Sequence, residues 1–183
     1  MTSVAHAITN IILVGPMGAG KSHVGRALAT RCDWPLVDAD VEIVREAGCS
    51  IATLFQRDGE AGFRIREREL LARWLPREGI VLATGGGAVL DAGTRDLMGT
   101  RGWVVHLHAS PATQLARVAG DTARPLLQTA DPTAVLDALA AERAPLYAAV
   151  ADLRIDTDLL EPADVVARIF AALPARFREG MRA

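Results

Sequence analysis

Gly15-Pro16-Met17-Gly18-Ala19-Gly20-Lys21-Ser22 is a full G-x-x-x-x-G-K-[ST] match. Nucleotide phosphates can be wrapped by backbone N–H groups where no side chain blocks the approach, and the glycines of this stretch supply that opening. A helix opening near Lys21 adds its N-terminal amides and dipole. In that setting Lys21 reaches the β- and γ-phosphates, and the Ser22 hydroxyl ligates Mg²⁺. Lys21 is also the sole lysine among 20 basic residues, kept where a compact point charge fits and a planar guanidinium does not. The plainer alternative is a glycine-rich turn that happens to precede a lysine. The apolar run Ile11–Val14 before it, and Val24, Ala27 and Leu28 at helical spacing after it, favour the phosphate loop.

Other residues carry chemistry on weaker signals. Asp38 and Asp40 follow an apolar segment, where open α/β sheets place ligands, and i, i+2 spacing in extended backbone sends both side chains the same way. One carboxylate can hold Mg²⁺ through water while the other meets a substrate hydroxyl; the plainer alternative is a helix N-cap at Asp40 and a surface acid, and the phosphate loop beside the pair favours the functional reading. Arg64 and Glu67 share a helical face, so Glu67 can orient the guanidinium, yet an exposed pair of this kind adds only about 0.2–0.5 kcal/mol and reads alone as a solvated face. Gly85-Gly86-Gly87 allows close backbone approach to a ligand, or is a flexible turn. Arg124, ahead of Pro125, can close over a γ-phosphate. Arg117 can stack on adenine or lie solvated on its helix. Arg143 stands near the end of a helix, where pairing with carbonyls is the ordinary role. His6, His23, His106 and His108 lack ligand spacing with Cys or carboxylates, so no structural zinc is expected.

The elements that must position these groups alternate. After the first strand and helix come a short strand at Trp34-Pro35-Leu36-Val37, a helix from Val41 stopping at Gly48, and a short helix capped by Ser50. Asp58-Gly59 reads as a turn. A longer helix then runs from Glu60 to Trp74, ending before Pro76. Gly79–Thr84 and Trp103–Leu107 read as strands, with a helix between them reaching Leu97. Pro111–Val118 is a helix with Pro in its first turn. Gly120–Pro132 has little periodicity and reads as a mobile loop. Ala134–Val150 is helical, Leu153–Ile155 a last strand, Ala163–Leu173 a closing helix. Thr2–Thr9 is expected to be frayed and the polar tail Pro174–Ala183 loosely held. Strand–helix alternation of this kind predicts a parallel sheet covered on both faces.

With 183 residues, half of them apolar, the chain is sized for one domain with a substantial core. A net charge of −2 gives no general pull towards nucleic acid or anionic membrane, so any anion site is a local cluster. No apolar run approaches the roughly 20 residues of a membrane span. Two cysteines, Cys32 and Cys49, make no disulfide framework, and a reducing cytoplasm is expected. Without a heptad or other association pattern, a monomer is expected.

Taken in order, G-x-x-x-x-G-K-S, Asp38-x-Asp40, G-E-x-x-F-R-x-x-E (Gly59–Glu67), Gly85–Gly87, R-P-L-L (Arg124–Leu127) and E-R-x-P-L-Y (Glu142–Tyr147) resemble the shikimate kinases from the phosphate loop to Pro162. Each later motif is weak alone; the ordered set is specific. The resemblance implies a P-loop NTPase α/β fold of the nucleoside-monophosphate-kinase type, with a five-stranded parallel sheet flanked by helices, in a single kinase domain over 1–183. Within it, 10–32 forms the phosphate-binding unit, 38–75 the substrate-binding region and 119–132 the lid. It implies transfer of phosphate from ATP, with Mg²⁺, to the 3-hydroxyl of shikimate in aromatic amino-acid biosynthesis, and no nucleic-acid or membrane partner. By the family pattern Gly18, Ala19, Gly20, Lys21, Ser22 and His23 hold the nucleotide, and Arg117 and Pro162 bracket adenine. Ser22 and, through water, Asp38 hold the metal. Asp40 meets substrate hydroxyls, Arg64 and Arg143 clamp the carboxylate, Gly86 and Gly87 offer backbone contacts, and Arg124 is the lid arginine. Whether Asp40 removes a proton or only aligns the hydroxyl stays open.

Three positions depart from that pattern: His23 replaces a hydroxyl residue, Ala39 replaces a small hydroxyl residue between the aspartates, and Leu159-Leu160 replace polar or basic residues near the adenine edge. Rival readings are a gluconate or nucleotide kinase, a GTP-dependent switch, and a silent nucleotide binder. The switch would need an N-K-x-D guanine reader, for which there is no second lysine.

Overall fold

The structure is a computed structural model that describes residues 10–119, 125–127 and 129–178. The expected frayed leader and the stretch from Gly120 to Arg124 lie outside the described residues. Five strands, β1 (Asn10–Val14), β2 (Leu36–Asp38), β3 (Val81–Ala83), β4 (Gly102–His108) and β5 (Leu153–Asp156), form one sheet in the order β2-β3-β1-β4-β5. All four pairings are parallel. The strands are joined through helices α1 (Lys21–Cys32), α2 (Ala39–Ala47), α3 (Ile51–Trp74), α4 (Ala92–Arg101), α5 (Pro111–Val118) and α6 (Pro132–Val150), and α7 (Pro162–Ala172) and α8 (Ala175–Arg178) follow β5.

Side-chain alternation along β1 divides the core. Ile11 and Leu13 pack with Val24 and Leu28 of α1 and Val165 and Ile169 of α7. Ile12 and Val14 pack on the other face with Leu54, Phe63 and Leu70 of α3, Met98 of α4 and Tyr147 of α6. The continuous apolar run in β1 is thus the mark of a strand buried on both sides. Leu13 is level with Ala83 on one side and Val105 on the other, and Asp38 is level with Ala83. The carboxyl ends of β1, β2 and β3 therefore open at one edge. β1 is flanked by β3 and β4, and the reversal of strand order there makes the crevice in which such sheets bind ligands.

Several sequence expectations need adjustment. The stretch Ile51–Trp74 is broken at Gly59, whose φ of 70° and ψ of 179° are non-helical, so the expected turn is a kink between two nearly continuous helical pieces. α6 starts at Pro132 with Asp131 as its cap, which takes the last residue of the expected lid into a helix. The tail is not loosely held as far as Arg178: Phe177 of α8 is 3% exposed and packs 6.3 Å from the Trp103 ring. Polar sequence hid a single aromatic anchor. Phe177→Ala should lower the unfolding free energy by about 3 kcal/mol in urea titration; a change within about 0.5 kcal/mol would show that the tail adds nothing.

Candidate active site

The loop between β1 and α1 bends through left-handed glycines, and Gly20, with φ 89°, opens α1 without any side-chain hydrogen bond to the first-turn amides. Those amides are left for an anion. Lys21 Nζ curls back over the loop and donates to the carbonyl oxygens of Gly15 at 2.7 Å and Pro16 at 2.8 Å. The loop is braced from outside. Arg117 of α5 donates to the Gly18 carbonyl at 3.0 Å, to Thr157 Oγ1 at 3.0 Å and to the Thr157 carbonyl at 2.6 Å. Arg117 is therefore not a solvated helix arginine; it pins the phosphate loop to the exit of β5.

Asp38 and Asp40 reach the same cleft by a route the spacing did not predict. β2 ends at Asp38, which caps α2 by accepting from the amides of Asp40 (3.2 Å) and Val41 (3.3 Å) through Oδ1. Asp38, not Asp40, is the N-cap. Asp40 sits in the first helical turn, so helix geometry rather than strand alternation sets its direction.

The pair Arg64–Glu67 overturns the solvated-face reading. Arg64 Nη1 meets Glu67 Oε2 at 2.8 Å with the glutamate side chain 2% exposed, and its outer edge meets Glu60 Oε1 at 3.0 Å. Burial raises the Glu67 carboxyl above its usual range, and Arg64 pulls the other way. Burial opposes the charge on Arg64, but Glu67 and Glu60 outweigh it and keep the guanidinium firmly protonated. The cause of the burial is Gly85–Gly87, which runs directly across the pair. A Cβ on Gly85 would collide with Glu67 Oε1, and one on Gly87 with the Arg64 guanidinium. A Cβ on Gly86 would stand 3.5 Å from the Gly15 carbonyl oxygen and 3.7 Å from Arg143 Nη1. The triple glycine is a close-approach device, not a flexible turn.

Arg143 is 5% exposed and enters from α6; its Nε is buried without a hydrogen-bond partner, with Glu142 Oε2 at 3.7 Å. It does not pair with helix-end carbonyls as the sequence alone suggested; it stands on the cleft wall. One turn on, Tyr147 donates to the Gly86 carbonyl at 2.6 Å and stacks on His106, ring centroids 4.6 Å apart. Burial first, then Arg154, His108 and Lys21, push the His106 imidazole down to about 4. Sequence reasoning missed Tyr147, Thr157 and His106. Tyr147 alone left a signal: it is four residues after Arg143, on the same helical face.

A cleft of about 600 Å³ collects the expected residues: the loop and helix start from Met17 to His23, Asp38, Asp40, Arg64, Gly85–Gly87, Arg117, Arg143 and Pro162. Arg124 lies outside the described residues. The departures His23 and Leu160 also line this cleft, whereas Leu159 is 98% exposed beside it.

Fold and cleft define the class: a P-loop nucleotide-binding α/β protein whose cleft also brings Arg64 and Arg143 beside the phosphate loop. Residues 17–174 match the family model described as shikimate kinase. A shikimate kinase of Stenotrophomonas maltophilia is 51% identical over 169 residues, covering 92% of this chain and 94% of its own length. The solved shikimate kinase from Acinetobacter baumannii in complex with shikimate superposes with a TM-score of 0.88 at 41% identity, covering 92% of this chain and 97% of that one. The shikimate kinase from Bacteroides thetaiotaomicron gives 0.81 at 32% identity, with 90% and 98% covered. The chain belongs to the shikimate kinase family, and it is a kinase, an ATP-dependent phosphotransferase.

His106 makes the fold acid-sensitive. The unfolded imidazole binds a proton near pH 6.5 and the folded one only near 4, so the unfolded state holds more protons between those values and stability falls on acidification. The slope from this group is at most about 1.4 kcal/mol per pH unit. Denaturant titrations from pH 7 to 4 should show a smaller loss in His106→Phe, which keeps an aromatic ring on Tyr147; an unchanged slope would assign the acid sensitivity elsewhere.

Proposed function

We propose that the chain transfers the terminal phosphoryl group of ATP to the 3-hydroxyl of shikimate, giving shikimate 3-phosphate and ADP in aromatic amino-acid biosynthesis. The observation that carries this reading is the convergence of two guanidiniums, Arg64 and Arg143, with the Asp40 carboxylate on one cleft beside the phosphate loop. Two cationic forks suit one carboxylate, and one carboxylate suits hydroxyls, which is the minimum set for a small hydroxylated acid.

In this reading the amides of Gly18, Ala19 and Gly20 and the helix start at Lys21, Ser22 and His23 cradle the phosphates. Lys21 leaves the Gly15 and Pro16 carbonyls for the β- and γ-phosphates. Arg117 and Pro162 form the adenine walls, Arg117 offering its face while its edges stay bonded to Thr157. Ser22 Oγ and the Asp38 carboxylate are hard oxygen donors of the type Mg²⁺ takes alongside substrate phosphates, Asp38 acting through water. Mg²⁺, when bound, neutralises charge building on the transferring group. Asp40 aligns the acceptor hydroxyl; a loose transition state demands little prior deprotonation. Arg64 and Arg143 grip the carboxylate, Gly86 and Gly87 present backbone to the acceptor, and Arg124 closes with the lid over 119–132 to exclude water. The chain works as one kinase domain, with 10–32 and 38–75 as its phosphate and acceptor units, and as a monomer in the cytoplasm. No helix among the described residues is long and apolar enough to cross a membrane.

An ADP-release assay over shikimate, gluconate and nucleoside monophosphates, with and without Mg²⁺, tests the reading. Turnover on shikimate alone, dependent on Mg²⁺, is expected; turnover on another acceptor and none on shikimate would overturn it. Arg64→Ala and Arg143→Ala should each raise the KM for shikimate at least tenfold, leaving that for ATP within about threefold. Equal losses for both substrates would remove the carboxylate clamp.

A further inference from the structure

The roles assigned so far leave Tyr147 unused, although it is the only tyrosine in the chain and is 4% exposed. Its hydroxyl donates to the Gly86 carbonyl at 2.6 Å, and a Cβ on that glycine would stand 3.7 Å from Arg143 Nη1. The ring is clamped from behind by the His106 imidazole, stacked at an interplanar angle of 20°. Burial pushes the phenol well above its usual range, so it remains a donor at every pH of interest.

We infer that Tyr147 is a positioning residue for the phosphoryl acceptor, fixing through its one hydroxyl the Gly86–Gly87 peptide plane beside the phosphate loop. The peptide bond is planar, so anchoring the Gly86 carbonyl also fixes the direction of the Gly87 N–H. Gly86 has no side chain of its own to set that plane, and a Cβ on it would stand 3.5 Å from the Gly15 carbonyl oxygen and the Met17 amide nitrogen of the phosphate loop. The Arg143 guanidinium lies beside the same glycine, so the plane that Tyr147 sets is also the surface that flanks this cation. A single rigid phenol holds the backbone that meets the acceptor. His106 in turn is held in β4, beside β1, so the acceptor side is referred to the same sheet that carries the phosphate loop.

The inference rests on the acceptor pocket proposed above, and its test separates the two. Tyr147→Phe keeps the ring and its stack on His106 and removes only the hydroxyl. It should raise the KM for shikimate about tenfold and lower kcat severalfold, with the KM for ATP within twofold and the melting temperature within about 3 °C. Amide exchange at Gly86 and Gly87 should quicken while β1 and β4 stay protected. A parallel rise in both KM values, or general quickening of exchange across the sheet, would reduce Tyr147 to a packing residue and overturn the inference; so would an unchanged shikimate KM. Because the chain has one tyrosine, 3-fluorotyrosine labels this position alone, and its fluorine resonance should move on adding shikimate in the otherwise intact protein; a resonance indifferent to shikimate would also overturn the inference. If the wild type does not phosphorylate shikimate, the functional reading fails by itself, and the exchange at Gly86–Gly87 in Tyr147→Phe still decides whether the hydroxyl sets that peptide: unchanged exchange overturns the positioning role.

Discussion

The backbone at Gly85–Gly87 passes so close to the buried Arg64–Glu67 pair that no side chain fits between them. That approach is the constraint on which the rest of the cleft depends. It removes water from one face of the pair and leaves Glu67 almost fully enclosed. A buried ion pair whose partner is removed leaves an uncompensated charge, at a cost of about 3–5 kcal/mol, roughly ten times what the same spacing contributes on an exposed helix. Arg64 is thereby held in one direction before any ligand arrives. Charge-assisted recognition of a planar anion depends on such fixed direction, because a fork that must first be ordered gives up much of its interaction energy.

The sheet explains why backbone can be brought so close. β1 is enclosed on both faces, and the strand order reverses beside it at its carboxyl end. The Asn10 side chain sets the opposite end, donating to the carbonyls of Leu75 (3.2 Å) and Arg77 (2.6 Å) and accepting from the Ile80 amide at 3.2 Å. One side chain thus ties the close of α3 to the entry of β3. α3 carries Arg64 and β3 delivers Gly85–Gly87, so the pair and the glycines meet at a distance set by buried hydrogen bonds rather than by loop chance.

Two short hydrogen-bonded bridges brace the cleft. Arg117 binds the phosphate loop to the β5 exit, and Tyr147 binds the glycine turn to α6. Both bridges end on main-chain carbonyls, which cannot swing aside as side chains do. In phosphoryl transfer the protein supplies mainly position and charge, so rigid references of this sort matter more than reactive groups.

The sequence by itself determined the alternating parallel architecture, the phosphate loop and the ordered motifs that place the chain in its family. Those features are local: an apolar run, glycines before a lysine, capping residues, each read within a few positions. It did not decide the meaning of Arg64, because a three-residue spacing looks alike on a wet helix and under a glycine turn brought in from another strand. Nor did it decide which aspartate caps α2, that Phe177 anchors the tail, or that Arg117 is spoken for by Thr157. Burial and long-range hydrogen bonding arise where segments remote in the chain meet, and the energy of a charged group depends on that dielectric and those partners more than on its neighbours in sequence. Tyr147 shows the boundary most clearly: its place on the Arg143 face was written in the spacing, and the carbonyl it holds, 61 residues away, existed only once the sheet had closed.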